Sequence, residues 1–287
     1  MAEHKRALVL GGGGVAGIAW ELGVLHGLTA AGIDLGAADL VVGTSAGSVV
    51  GAALRFGQAD AAYQAQIAEG TPPAQYREPT AFSGEAFLNA LAAAGAQGGG
   101  EQAARARIGE LALGAATQLS EEQWVAQISA LVPAARWPER PLAVTTVDAG
   151  TGEFRVFGAD DGVSLQRAVA ASCAVPTVWP PVEMDGNRYM DGGIRSGTNA
   201  DVAEGYDAVL VLSCGLEAPS SPFGPSLPQA LEKLGRHSRV VLIEADAAAL
   251  QAFGSNMLLQ STRRPSAEAG RRQAEQRLAD VRELWDS

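Results

Sequence analysis

The chain is poor in the side chains that most often announce a chemistry. Among 287 residues there are two cysteines and three histidines, and lysine occurs only at Lys5 and Lys233. Cys173 and Cys214 stand far apart, without the spacing of a metal site, so neither a disulfide framework nor a structural zinc organises the fold. A reducing, cytoplasmic compartment is the expectation. Positive charge is short as well, with a formal net charge of −11. Without a basic face the chain is not expected to bind nucleic acid or to adsorb electrostatically on anionic lipid; hydrophobic contact with a membrane or micelle surface stays open. Apolar runs are brief, and none reaches the ~20 residues of a spanning helix. The opening MAEHKRALVLGGGG has too short an apolar stretch for a signal-peptide core, so a soluble protein is expected.

Glycine, by contrast, is abundant at 35 residues, and its placement carries the reading. Residues 40–50, LVVGTSAGSVV, pass from a short apolar run through Gly43-Thr44-Ser45-Ala46-Gly47 into a helix-compatible segment. That is strand, sharp turn, helix. A serine at such an apex sits in strained backbone, and the residues two before and two after it must be nearly free of side chain for the helix to fold back on the strand. Gly43 and Gly47 meet this demand, which makes Ser45 the candidate nucleophile. The same five-residue pattern also describes an ordinary turn, so its weight depends on what surrounds it.

A second glycine cluster follows the buried strand expected over 6–10: Gly11-Gly12-Gly13-Gly14-Val15-Ala16-Gly17, with a helix expected over about 18–31 and Ile18, Leu22, Leu25 and Thr29 on its buried face. Three chemistries compete for this loop. Gly12, Gly14 and Gly17 satisfy a dinucleotide GxGxxG, but that fold wants an acid closing the second strand, where this chain has Gly43-Thr44-Ser45. A P-loop wants lysine where the chain has Ile18. An oxyanion hole, using the amides of Gly11, Gly12, Gly13 and Gly14, employs both the loop and the serine.

Downstream, a helix is expected over 58–69. Residues 70–141 then change to Ala- and Gly-rich helical segments near 84–94, 101–114 and 121–131, read as a helical cap inserted in an α/β core, with Phe82, Phe87, Leu88 and Trp124 as candidates to line a cleft. Strands are expected over 142–147, 153–157, 207–213 and 239–243, and helices over 164–172 and 227–237. A C-terminal helix over about 266–286 can dock Leu278, Val281 and Trp285. Between them, Asp191-Gly192-Gly193 places an acid at a strand end with its backbone free to approach closely.

Acyl transfer by serine needs a proton acceptor. His4 is in the N-terminal tail, and His26 lies roughly 15 Å along the first helix from the loop at ~1.5 Å rise per residue. Two arrangements remain open: a Ser45, Asp191, His237 triad in the chain order of α/β-hydrolases, or Asp191 acting on Ser45 directly. The second requires burial to make a carboxylate of reference pKa ~3.9 an effective base.

With GGGGVAG at 11–17, GTSAG at 43–47, DGG at 191–193 and ASCAVPTVWPPV before the last, the chain resembles the bacterial patatin-like phospholipases. The resemblance implies a single three-layer α/β/α domain with a central, mostly parallel sheet. It also implies a Ser45–Asp191 dyad, an oxyanion hole from the Gly11–Gly14 loop, and hydrolysis of lipid or fatty-acyl esters without metal or organic cofactor. Many members carry Arg or Lys where this chain has Ala16, so its loop lacks a positive side chain. A lipid-binding protein that keeps the fold without turnover is the rival reading.

Overall fold

Strand β1 (Arg6–Leu10) runs through the centre of an eight-stranded sheet, and its alternation sets the architecture: Leu8 and Leu10 enter one hydrophobic cluster, Ala7 and Val9 another on the opposite face. The computed structural model describes residues 4–69, 77–79, 84–215 and 217–286. On one side of β1 lies β2 (Leu40–Gly43), followed by β3 (Leu142–Asp148); on the other lie β7 (Ala208–Ser213) and β8 (Arg239–Glu244), and all these neighbours pair in parallel. The strands β4 (Phe154–Phe157), β5 (Val182–Met184) and β6 (Asn187–Asp191) add antiparallel pairs at the β3 end. Such parallel strands, buried on both faces, read as continuous apolar runs, which is how 7–10, 41–42 and 208–212 appear in the sequence.

Helices cover both faces. Helix α1 (Gly14–Ala30) and α2 (Ala46–Arg55) follow β1 and β2, and α3 (Ala59–Ile67) comes next. The last helix, α10 (Arg263–Trp285), lies along α1 so closely that a Cβ on Gly23 would stand 2.2 Å from the Ala267 carbonyl oxygen. Caught between sheet and α10, α1 is buried almost all round: Ala19, Trp20 and Val24 are as inaccessible as Leu22 and Leu25, while Thr29 is exposed. Burial therefore extends well beyond the one face that Ile18, Leu22, Leu25 and Thr29 share. The opposite face is covered by α8 (Leu227–Leu234), through Leu227, Ala230 and Leu234. This is the three-layer α/β/α arrangement, with a mostly parallel central sheet.

The stretch expected as a cap contributes helices with separate seats. Helix α4 (Gly84–Ala96) and α5 (Glu101–Gly114) share a cluster with Val147 and Met190, and Phe87 packs there while Leu88 is exposed. Phe82 lies outside the described residues. Helix α6 (Glu121–Ser129) starts where Ser120 and Gln123 cap each other reciprocally, at 3.3 and 3.0 Å, a device worth about 1 kcal/mol. Its Trp124 stacks on Trp179 at 4.5 Å and donates to the Ala170 carbonyl of α7 (Leu165–Ser172). Helix α9 (Ala247–Phe253) was not expected from the sequence; Asp246 caps it. No described helix is long and apolar enough to cross a membrane.

Candidate active site

Two strands approaching from opposite directions share one edge of β3. Because Val144 pairs with both Gly43 and Phe157, and Thr146 with both Asp191 and Arg155, β4 occupies one edge and β2 and β6 divide the other. Strand β2 ends at Gly43 opposite Val144, and β6 ends at Asp191 opposite Thr146, two positions further along, or roughly 7 Å at ~3.3 Å per residue. Thr44 and Ser45 leave β2 into that gap. The intervening Thr145 closes it, its Oγ1 lying 2.8 Å from Thr44 Oγ1. Asn199 then ties the ends together: its Nδ2 donates to Thr44 Oγ1 at 3.1 Å, to the Gly192 carbonyl at 3.1 Å and to the Ser196 carbonyl at 2.8 Å.

Ser45 has φ 51° and ψ −116°, a conformation that costs a residue with a Cβ of order 1–3 kcal/mol. Neighbours hold it there. Ser45 N–H donates to Ser172 Oγ at 2.9 Å, while the Ser45 carbonyl accepts from Ser48 Oγ at 2.6 Å and from the Cys173 thiol at 3.2 Å. Gly47 is required by close approach, since a Cβ there would stand 2.1 Å from the Leu10 carbonyl oxygen. The backbone of the turn is thus anchored on α7, and its side chain is left facing Asp191.

The Asp191 carboxyl is 5% exposed. Burial drives its pKa up from the ordinary carboxylate range, while a hydrogen bond with the Ser45 side chain and one from the Gly193 amide, at 2.7 Å to Oδ1, pull it back, so that it settles at about 7. A carboxylate there shares its proton readily near neutrality. Cys173, next to both groups, is no rival nucleophile: burial and the nearby Asp191 push its thiol far up.

The glycine loop lies against Ser45, a Cβ on Gly12 falling 3.5 Å from Ser45 Cβ. Its four amides are not equivalent. Gly11 N–H is committed to the Leu212 carbonyl at 3.2 Å and Gly12 N–H to the Gly197 carbonyl at 2.7 Å, which removes both from the expected set of oxyanion donors. The amides of Gly13 and Gly14 have no partner among the described residues, because α1 begins at Gly14 instead of near residue 18 and leaves its first N–H groups open. The Ala46 amide, which opens α2, is free in the same sense. Gly17 serves packing, against Cys214 and Ala46, and donates to the Gly13 carbonyl.

The histidines are elsewhere. His26 stacks on Tyr63 and bonds Asp60. His237 is exposed and stands just before β8, at the N-terminal ends of the parallel strands, whereas Ser45 follows the C-terminal end of β2. A six-residue strand separates the two levels by roughly 20 Å. The triad arrangement is overturned by that topology. Sequence reading also passed over Ser172 and Asn199, which look like ordinary helix-end and loop residues, and over Glu21. On α1, Glu21 is fully buried; its neighbouring amide, that of Gly11, is spent on Leu212, and neither carboxyl oxygen has a hydrogen bond of good geometry, so desolvation drives its pKa well up.

Ser45 opens onto a cavity of about 180 Å³ with apolar walls that include Val15, Ile18, Trp124, Trp179 and Leu258, and with Gln66, Gln127, Gln260 and Arg263 as polar members. Of the residues expected to line a cleft, Trp124 does so. A larger groove of about 410 Å³, lined by Trp137, Glu139 and Asp160 among others, lies at the N-terminal ends of β2 and β3 and holds none of the site residues.

The structure is similar to VipD from Legionella pneumophila, with TM-score 0.50 and 14% identity over 97% of this chain and 67% of that one. It also matches the type III effector protein ExoU, with TM-score 0.39 and 17% identity over 96% of this chain; the chain spans about half, 53%, of that protein. At these identities VipD speaks for the fold alone, and the ExoU match is too loose to argue from. No curated protein sequence matches. The family model for patatin-like phospholipases covers residues 8–204, more than half of the chain, and runs without a break through the glycine loop, the Ser45 turn and Asp191-Gly192-Gly193. On that match the chain belongs to the patatin-like phospholipases, a family of lipid acyl hydrolases.

Proposed function

We propose that the protein is a serine lipid acyl hydrolase that cleaves fatty-acyl esters with Ser45 as nucleophile, Asp191 as proton acceptor and the Gly13 and Gly14 amides as oxyanion donors. The observation that carries the reading is the contact between Ser45, held at positive φ, and a buried carboxyl with a pKa of about 7. Asp191 takes the hydroxyl proton as Ser45 Oγ attacks the acyl carbonyl carbon. The negative oxygen that develops is met by free N–H groups at the start of α1, where the helix dipole adds its positive end. Collapse expels the alcohol, which takes the proton back from Asp191. Water then attacks the acyl-enzyme with Asp191 again accepting a proton, and the fatty acid leaves. The apolar cavity suits the acyl chain, and the substrate can be drawn from a membrane or micelle surface.

A fluorophosphonate probe tests this reading. Wild-type protein is expected to be labelled covalently and to release p-nitrophenol from medium-chain esters, and Ser45→Ala to do neither while keeping its thermal midpoint. Labelling that persists in Ser45→Ala moves the nucleophile to another residue, and none in the wild type replaces this reading with that of a lipid-binding protein without turnover.

A further inference from the structure

Among the described residues lining the Ser45 cavity there is a single charged side chain, Arg263, and no acid. Arg263 is the first residue of α10, outside the stretch matched by the family model, and the glycine loop at 11–17 carries no charged residue. Its guanidinium is half-buried and held entirely by neutral acceptors. Nε donates to Gln66 Oε1 at 2.8 Å, Nη1 to Gln260 Oε1 at 3.3 Å, and Nη2 to the Ala65 carbonyl. No described carboxylate pairs with it, in contrast to Arg264 beside it, which pairs with Glu69 at 3.5 Å and Glu268 at 3.0 Å. The carboxylate that touches this cluster, Glu78, is exposed and accepts from the Gln260 amide. Residues 70–76 and 80–83 contain no acid.

The charge is therefore oriented but not neutralised. Three bonds to neutral oxygens account for three of the five N–H groups of a guanidinium and leave two for a further acceptor. Burial disfavours the cation and lowers its pKa with no acid to offset the effect, and the positive end of α10, with no acidic residue in its first turn, adds charge of the same sign. A partly desolvated cation is costly unless an anion meets it, and at the wall of a cavity that Ser45 shares, that anion comes with the ligand.

We infer that Arg263, set in place by Gln66 and Gln260, determines the specificity of this site by selecting acyl esters whose alcohol portion carries an anionic phosphate over neutral esters of the same acyl length. The inference rests on the Ser45 chemistry proposed above and adds which residue of this chain reads the alcohol portion. It makes the C-terminal helix, and not the glycine loop, the source of positive charge at the site.

Steady-state kinetics on the full chain with 1-hexanoylglycerol 3-phosphate, 1-hexanoylglycerol and p-nitrophenyl hexanoate test it. The wild type is expected to prefer the phosphate ester over the neutral glyceride by about tenfold or more in kcat/KM, the size of a charge-assisted contact. Arg263→Gln should collapse that preference by raising KM for the phosphate ester far more than for either neutral ester, and Arg263→Lys should retain part of it. Absence of a preference in the wild type overturns the inference. So does an equal loss on all three esters in Arg263→Gln together with a lowered thermal midpoint, which makes the residue a strap between α3 and α10. Calorimetric binding of 1-hexanoylglycerol 3-phosphate to Ser45→Ala, with and without Arg263→Gln, reads the anion subsite independently of turnover: about tenfold weakening by the second substitution supports it, and equal affinity refutes it even if the acyl-hydrolase reading stands.

Discussion

Two of the carboxyls buried towards the C-terminal end of this sheet, Asp191 and Glu21, differ in their company. Asp191 touches Ser45 and accepts the Gly193 amide; Glu21, on α1, has no hydrogen bond of good geometry at either oxygen. Burial pushes both pKa values up, but the contacts with Ser45 and Gly193 that favour the charged form return Asp191 to about 7, whereas for Glu21 desolvation outweighs what the Gly11 amide offers and raises the pKa well above its ordinary value. Desolvation alone therefore makes a carboxyl inert. Desolvation balanced by partners makes a base that gains and loses its proton at neutral pH.

The contrast is broken most severely at Asp191. Asp191→Asn is expected to lower esterase kcat/KM by about 10²–10⁴-fold, the range for loss of a general base. The same variant should be more stable than wild type at pH 8. With a folded pKa of about 7 against an ordinary 3.8, the folded chain holds a proton that the unfolded chain has released, so this group's contribution to stability falls as pH rises from 3.8 to 7 and is constant above. The shift amounts to about 4 kcal/mol at ~1.4 kcal/mol per unit, an upper bound, and calorimetric scans should show the gain vanish by about pH 4. In the wild type, log kcat/KM should rise with unit slope up to about pH 7 and then level off.

Next in size is Glu21→Met, which replaces an unpartnered polar group with apolar volume. A gain of about 1–3 kcal/mol in unfolding free energy is expected, growing with pH above ~4.5, with kcat/KM within about twofold of wild type. A large loss of activity would give Glu21 the working role assigned here to Asp191. Ser45→Ala sharpens the comparison from the other side: removal of one of the two bonds should move the Asp191 titration, followed by carboxyl carbon NMR, to higher pH. The smallest effect is expected from His237→Ala. The limb near neutrality should stay in place, with stability changed by less than about 0.5 kcal/mol. A limb that disappears in this variant would transfer the base from Asp191 to His237.

Much of the fold was legible because its signals are local. The apolar runs at 7–10 and 208–212 need no partner to look like buried strands, and the helical segment expected near 121–131 contains α6. Errors fell where packing overrides propensity. The start of α1 lies in glycines because the Cys214 side chain and the Met257-Leu258 segment leave no room for anything larger, and burial is not confined to one face because the helix has neighbours on nearly every side. In the site, Ser45 and Asp191 could be named from strand-to-turn patterns. That Gly11 and Gly12 spend their amides on the carbonyls of Leu212 and Gly197 could not, since those partners lie across the sheet.

By itself, the order of residues determined most of the strands and helices, that a serine stands at a sharp turn between two glycines, and that an acid ends a later strand. Only the tertiary structure decided that β2 and β6 end on the same edge of β3, that Asp191 gains partners while Glu21 has none, and that Arg263 joins the cavity of Ser45. Local pattern follows from backbone sterics and burial periodicity within a few residues. Proton affinity and uncompensated charge are properties of an environment assembled from segments far apart in the chain, and they exist only once those segments have excluded water together.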